Sequence, residues 1–155
     1  MSASGAPPDL DLPIRYFVYK HFIEETSPPT IAETAEEFGL TEAEAKAAYQ
    51  RLHQKHFFFL DPGTTNIRMA NPLSAIPTKF KVQVDDKSYW ANCAWDMLGI
   101  PAMLQRDATI EALFEDTQEK VVMMVKDGQV QVQYDGGVVH FPLPFQQWYD
   151  DLILT

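Results

Sequence analysis

Three observations predict an α+β fold for this chain. Apolar residues in the N-terminal part recur at helical spacing beside two Thr-x-x-Glu starts; those in the C-terminal half alternate in steps of two between Asp-Gly pairs; and a nearly uncharged run from Asn92 to Leu104 suits a buried helix. A chain of 155 residues that is 46% hydrophobic and 22% charged has enough apolar side chain to bury a core without staples.

The first helix is predicted from Pro13, where Ile14, Phe17, Val18, His21 and Phe22 fall on one stripe. Residues 1–11 carry Ser, Gly, Pro and Asp without a period and are expected to form a flexible arm. Ser27-Pro28-Pro29 ends the helix, because proline has no N–H and turns the residue before it away from helical geometry. Thr30 with Glu33, and Thr41 with Glu44, then predict two more helices, each opened by a reciprocal hydroxyl and carboxylate cap, with Gly39 as the C-cap between them.

After the third helix, Phe57 to Leu60 and Asn66 to Ala70 predict two short strands around an Asp61-Pro62-Gly63 turn. Three helices and a hairpin make a winged helix-turn-helix-like module over residues 12–72. A Pro-containing connector, Asn71 to Pro77, leads into the second part, residues 73–155. There Phe80, Val82 and Val84 alternate with polar residues, as on a half-buried strand. Asn92 to Leu104 is expected to be helical, kinked or interrupted near Gly99 and Pro101. Strands are expected at 108–113, 121–126, 129–134 and 138–141, with turns at Asp127-Gly128 and Asp135-Gly136. The second part is thus a small antiparallel β core with one buried helix.

Charge and cysteine usage narrow the function classes. Twelve Lys and Arg stand against 22 Asp and Glu, a net of −10, which disfavours nucleic acid and anionic lipid as main partners. The lone Cys93 excludes an intramolecular disulfide and a Cys-rich zinc site, and it fits a cytoplasmic location. The start of the chain lacks the pattern of a signal peptide, and no apolar run has the length of a membrane span.

Chemistry centres on Tyr89-Trp90-Ala91-Asn92-Cys93-Ala94-Trp95-Asp96-Met97-Leu98. Cys93 and Asp96 are three apart, which on a helix brings a thiol and a carboxyl to one face. Amides of a first helical turn favour the thiolate, whereas an ionised Asp96 opposes it, and spacing alone does not decide between them. Two readings stay open at this level: a reactive pair, or a small buried hydrophobe beside a carboxyl that satisfies a loop amide. An acid among Trp90, Trp95, Met97, Leu98 and Ile100 leans toward the first, since an unpartnered buried carboxyl costs free energy.

The run from Val84 to Leu104, continuing through Asp107-Ala108-Thr109-Ile110-Glu111, resembles the alkylmercury lyase (organomercurial lyase) family, in which a strand enters a Cys-Ala-x-Asp helix followed by a Pro-Ala-Leu-like segment. The resemblance covers roughly residues 12–112, including the helical N-terminal part. It implies cleavage of carbon–mercury bonds by protonation, with no cofactor. Cys93 would bind mercury as thiolate, soft ligand to soft metal, and Asp96 would move the proton to the leaving carbon and help hold the metal product. The family also uses a second, distant cysteine, which this chain lacks, so weak or absent turnover is expected. Trp148 to Thr155 reads as an apolar strand that stops just before the place expected for that cysteine. A shortened homologue, an expressed fragment, or a reading frame interrupted at an unusual codon such as one for selenocysteine each accounts for this.

Other candidates are weaker. His53 and His56 share a helix face without a third ligand, and His140 lies in a strand-like stretch far along the chain. A regulator binding DNA through the helix-turn-helix is a second function class. Residues 1–75 carry six Lys and Arg against ten Asp and Glu, and the third helix offers only Lys46, Arg51 and Lys55 to phosphate. A third class is a non-catalytic protein that captures a soft metal. The apolar terminus also predicts pairing of strands between two copies, a homodimer.

Overall fold

The computed structural model of the chain describes residues 8–132, 137–141, 143–144 and 147–148. Helix α1 spans Asp11–Glu25, α2 Ile31–Phe38 and α3 Glu42–Gln54. Both expected capping boxes form. The Thr30 N–H donates to Glu33 Oε2 at 2.7 Å while the Glu33 N–H donates to Thr30 Oγ1 at 3.2 Å, and Thr41 with Glu44 repeats the pattern at 2.8 and 3.3 Å. Gly39 closes α2 at φ +61°, the left-handed position that glycine occupies without a steric penalty.

The stripe predicted for α1 is only partly its buried face. Ile14, Val18 and Phe22 are buried, with Phe17 and His21 at the margin, and Asp11 joins them. Residues 8–11, expected in the mobile arm, instead form a 3-10 turn and the first residue of α1. Asp11 is only 3% exposed; it accepts from Arg51 Nη2 at 2.7 Å, Arg51 Nε at 3.1 Å and Lys55 Nζ at 2.8 Å. A carboxylate taken out of water needs such partners, and the arginine fork together with the lysine supplies them, fastening α1 to α3. Thr34 and Tyr49 share a buried hydrogen bond of 2.7 Å that locks α2 to α3 in the same way.

Among the described residues, eight strands form one antiparallel sheet: β1 Phe59–Leu60, β2 Ile67–Ala70, β3 Leu73–Ser74, β4 Lys81–Val84, β5 Lys87–Ala91, β6 Ala108–Leu113, β7 Lys120–Lys126 and β8 Gln129–Val132. Their order is β1-β2-β3-β5-β4-β6-β7-β8. The hairpin expected as a wing is therefore continuous with the core sheet. The segment read as a connector supplies β3, which pairs with β2 on one side and β5 on the other.

Alternation along the strands holds as expected. Val82 and Val84 of β4, Ala108, Ile110 and Ala112 of β6, and Val121, Met123 and Val125 of β7 face the core. Asp127 and Gly128 make the β7–β8 turn with φ +51° and +72°, as a tight hairpin requires. Residues 138–141, expected as a strand, are irregular and exposed, while Asp135-Gly136 and residues 133–134 fall outside the described residues.

Helix α4 covers Asp96–Leu104 and packs on β4 and β5. It starts later than expected and is not interrupted: Pro101 is accommodated within it, fully buried, and Gly99 lets the helix approach the connector. A Cβ at Gly99 would lie 3.2 Å from Pro72 Cβ, so this approach depends on the missing side chain. From the other side, Tyr19 of α1 donates to the Asn71 carbonyl at 2.9 Å. Tyr89 and Lys87 of β5 donate to the Ile23 and Glu24 carbonyls at 2.8 and 2.6 Å. The helical part is thereby seated on the sheet next to the start of α4.

Candidate functional site

β5 runs out at Ala91, and residues 92–95 bend before α4 begins at Asp96. Cys93 thus sits in the turn before the helix rather than on it. The Cys93 carbonyl accepts from the Met97 N–H at 3.1 Å, so the turn leads directly into the first turn of α4, which Asp96 opens. The backbone amides of Trp95 and Asp96 favour the Cys93 thiolate, and the Asp96 carboxyl disfavours it.

The competition that spacing left open resolves against a free thiolate. Burial is the largest influence on Cys93 and pushes its pKa up, and the Asp96 charge adds to this; the two amides pull down but do not prevail. Asp96 is also raised, by burial, although hydrogen bonds from the Asn92 side chain and the Cys93 thiol oppose the shift. Half-buried and adjacent, the two groups are each biased toward the protonated form. Such a pair can hand one proton between sulfur and carboxylate when something stabilises the thiolate.

Asn92 and Asn71 complete the surroundings. Asn92 Nδ2 donates to Asn71 Oδ1 at 2.9 Å, and Asn92 Oδ1 is buried without a partner. Tyr19, bonded to the Asn71 carbonyl, has its phenol pKa raised chiefly by burial and in small part by the Asp96 charge, which puts α1 within electrostatic reach of the site. The Arg15 guanidinium lies over the Phe57 ring, 4.4 Å from its centroid, and beside Tyr19. Sequence reasoning missed these residues. Asn92 adjoins Cys93 and could have been flagged by proximity, whereas Tyr19 and Asn71 reach the site only through tertiary contact.

The remaining sequence candidates do not converge here. His53 Nδ1 accepts from the Leu60 N–H at 3.4 Å and its ring meets Phe59 edge-on, while His56 stacks on Phe59. His140 is exposed. Among the described residues there is no group of three or more His, Cys, Asp or Glu that could hold a metal ion. The three cations of α3 and its end are engaged with acids: Lys46 with Glu42 at 3.5 Å, Arg51 and Lys55 with Asp11. No helix among the described residues is long and apolar enough to cross a membrane.

Comparison with known proteins places these features in a family. The chain is similar to a solved structure described as the mercury-bound form of MerB2, at 21% identity and a TM-score of 0.67, covering 84% of this chain and 62% of that one. The likeness is one of fold, and the chain spans less than two thirds of the length of that structure. No curated protein matches. The sequence model of MerB, alkylmercury lyase, matches residues 73–153, just over half of the chain and the part that holds Cys93 and Asp96. The chain belongs to the alkylmercury lyase family.

Proposed function

We propose that the protein takes an organomercurial as substrate, with Cys93 as the mercury ligand and Asp96 as the group that carries the proton. The observation behind this reading is the placement of Cys93 in the turn that enters α4, its carbonyl bonded to the Met97 N–H, with Asp96 opening the helix and both side chains half-buried and biased toward protonation. As the soft metal approaches, sulfur gives up its proton to Asp96 and forms the mercury–sulfur bond, displacing the ligand opposite carbon. Asp96 then returns the proton to carbon as the carbon–mercury bond breaks, its electron pair staying with carbon. The products are a hydrocarbon and mercury(II) held by Cys93, with the Asp96 carboxylate beside it.

One protein thiol makes this slow. The chain supplies a single cysteine, so a second sulfur to activate the carbon has to come from a small thiol in solution, and the same thiol has to carry mercury away. The single cysteine, with no second protein sulfur to activate the carbon, favours a second reading, stoichiometric capture of mercury without cleavage.

In this account α1 to α3 with β1 and β2 form a winged-helix-like module over residues 12–72 that serves as a lid on a core of residues 73–155. The paired state of the α3 cations and the acidic balance speak against DNA as its target. A cytoplasmic location is in keeping with the free thiol. Self-association by strand pairing is proposed for the apolar C-terminal stretch, which lies mostly outside the described residues.

Incubation with an organomercurial and excess small thiol, followed by measurement of hydrocarbon release, tests the reading. Release that is lost in Cys93→Ser supports it. Release that persists in Cys93→Ser overturns it, and mercury retention without any release leaves the capture reading in its place.

A further inference from the structure

Trp95 is an unusual residue for its position. It stands at the N-cap of α4, where Ser, Thr, Asp or Asn would satisfy an open amide, and it makes no side-chain cap bond. Forgoing a cap weakens the helix start. Its backbone amide favours the Cys93 thiolate, yet its indole is 59% exposed. A large apolar ring left in water beside a nucleophile, in place of a helix-capping residue, marks a local compromise of the kind found at functional sites.

The indole does not stand alone. Its centroid lies 6.0 Å from the Phe141 ring in a tilted arrangement, and Phe141, 40% exposed, stacks on Trp148 at 5.3 Å and 20°. Trp148 is oriented by donating from Nε1 to the Leu143 carbonyl at 3.0 Å. Three rings from two distant parts of the sequence thus form a contiguous aromatic surface beginning two residues after the thiol. Tilted and stacked ring faces favour a further planar ring over an aliphatic group of similar size.

We infer that Trp95 and Phe141 form the subsite for the organic substituent of the substrate and select for an aromatic one, an arylmercurial over methylmercury. The inference rests on the reading of Cys93 as mercury ligand. Two-coordinate mercury holds its two bonds in line, so the substituent stands away from the sulfur and reaches the surface around it, and Trp95, two residues after Cys93, exposes its indole there.

The test is competitive capture. Phenylmercury and methylmercury are offered together to stoichiometric protein in a buffer of small thiol, and the ratio of the two adducts on the intact protein is read by mass spectrometry. The unaltered protein is expected to favour phenylmercury beyond the preference of the small thiol. Trp95→Ala and Phe141→Ala are each expected to shrink that excess about tenfold, and Trp95→Phe to retain most of it. Val130→Ala, at an exposed valine of β8, serves as the control and should leave the ratio unchanged. Capture with the same ratio in all variants, or an equal drop in Val130→Ala, overturns the subsite while leaving the mercury-ligand reading intact. Absence of any adduct on the unaltered protein overturns both.

Discussion

Cys93 and Asp96 stand three residues apart at the entry of α4, Cys93 half-buried in the turn and Asp96 the first helical residue, and each acts on the other's pKa in the opposite direction: the carboxylate holds the thiol up, and the thiol pulls the carboxylate down. Burial raises both and is the larger influence on each. The pair is therefore a store for one proton rather than a ready thiolate. In the proposed reaction, a metal that binds sulfur shifts that proton to oxygen, where it is available to a carbon leaving group.

Replacing Asp96 by Asn removes the charge that opposes thiolate formation. In Asp96→Asn the pH profile of Cys93 alkylation is expected to move to lower pH, so that alkylation at neutral pH becomes faster. The residual elevation comes from burial. A profile unchanged by the substitution would mean that the carboxylate is not coupled to the thiol.

The same substitution has an opposite signature in stability. A carboxyl whose folded pKa lies above its unfolded value of about 3.9 binds protons more tightly when folded, so stability falls as pH rises through that interval and the deficit persists above it. Asp96→Asn should accordingly raise the melting temperature at pH 7, with the gain vanishing below the unfolded pKa. Thermal unfolding of both proteins across pH 3 to 8 gives the comparison. A fall in melting temperature at neutral pH would assign Asp96 a structural rather than a chemical part.

Asp11 is the contrasting case. Burial alone would raise its pKa, but hydrogen bonds and charge from Arg51 and Lys55 outweigh this and hold it below the usual value. Its contribution is present above the unfolded pKa and is lost as pH falls through the folded one. Asp11→Asn should cost about 2 kcal/mol at pH 7, because two cations lose their partner and one of them is partly buried, and much less at pH 3. Denaturant unfolding at the two pH values measures the difference.

Local chemistry made much of this legible from the residues alone. The Thr30/Glu33 and Thr41/Glu44 caps and the Asp127-Gly128 turn depend on neighbours in sequence, and each forms as expected. For Cys93 and Asp96 a spacing of three did not distinguish a helix from the turn that precedes one. What depends on distant partners was hidden. Leu73–Ser74 is too short to show a strand period, yet it joins the hairpin to the core by pairing with β2 and β5. Asp11 looks like part of a polar arm until Arg51 and Lys55 are brought beside it. Val138 to Phe141 has the composition of a strand, but its residues are exposed, and the Phe141 ring is engaged with Trp95 and Trp148.

The most direct test of the central claim, that one thiol and one carboxyl share a reaction centre, is a single-turnover experiment followed by intact mass. One equivalent of an organomercurial is added to the protein in the presence of small thiol, and the adduct on Cys93 is followed with time. The account predicts a mass increase of mercury plus its organic group that decays to mercury alone in the unaltered protein, persists undecayed in Asp96→Asn, and never forms in Cys93→Ser. Decay in Asp96→Asn at the rate of the unaltered protein, or an adduct that forms without Cys93, would contradict it.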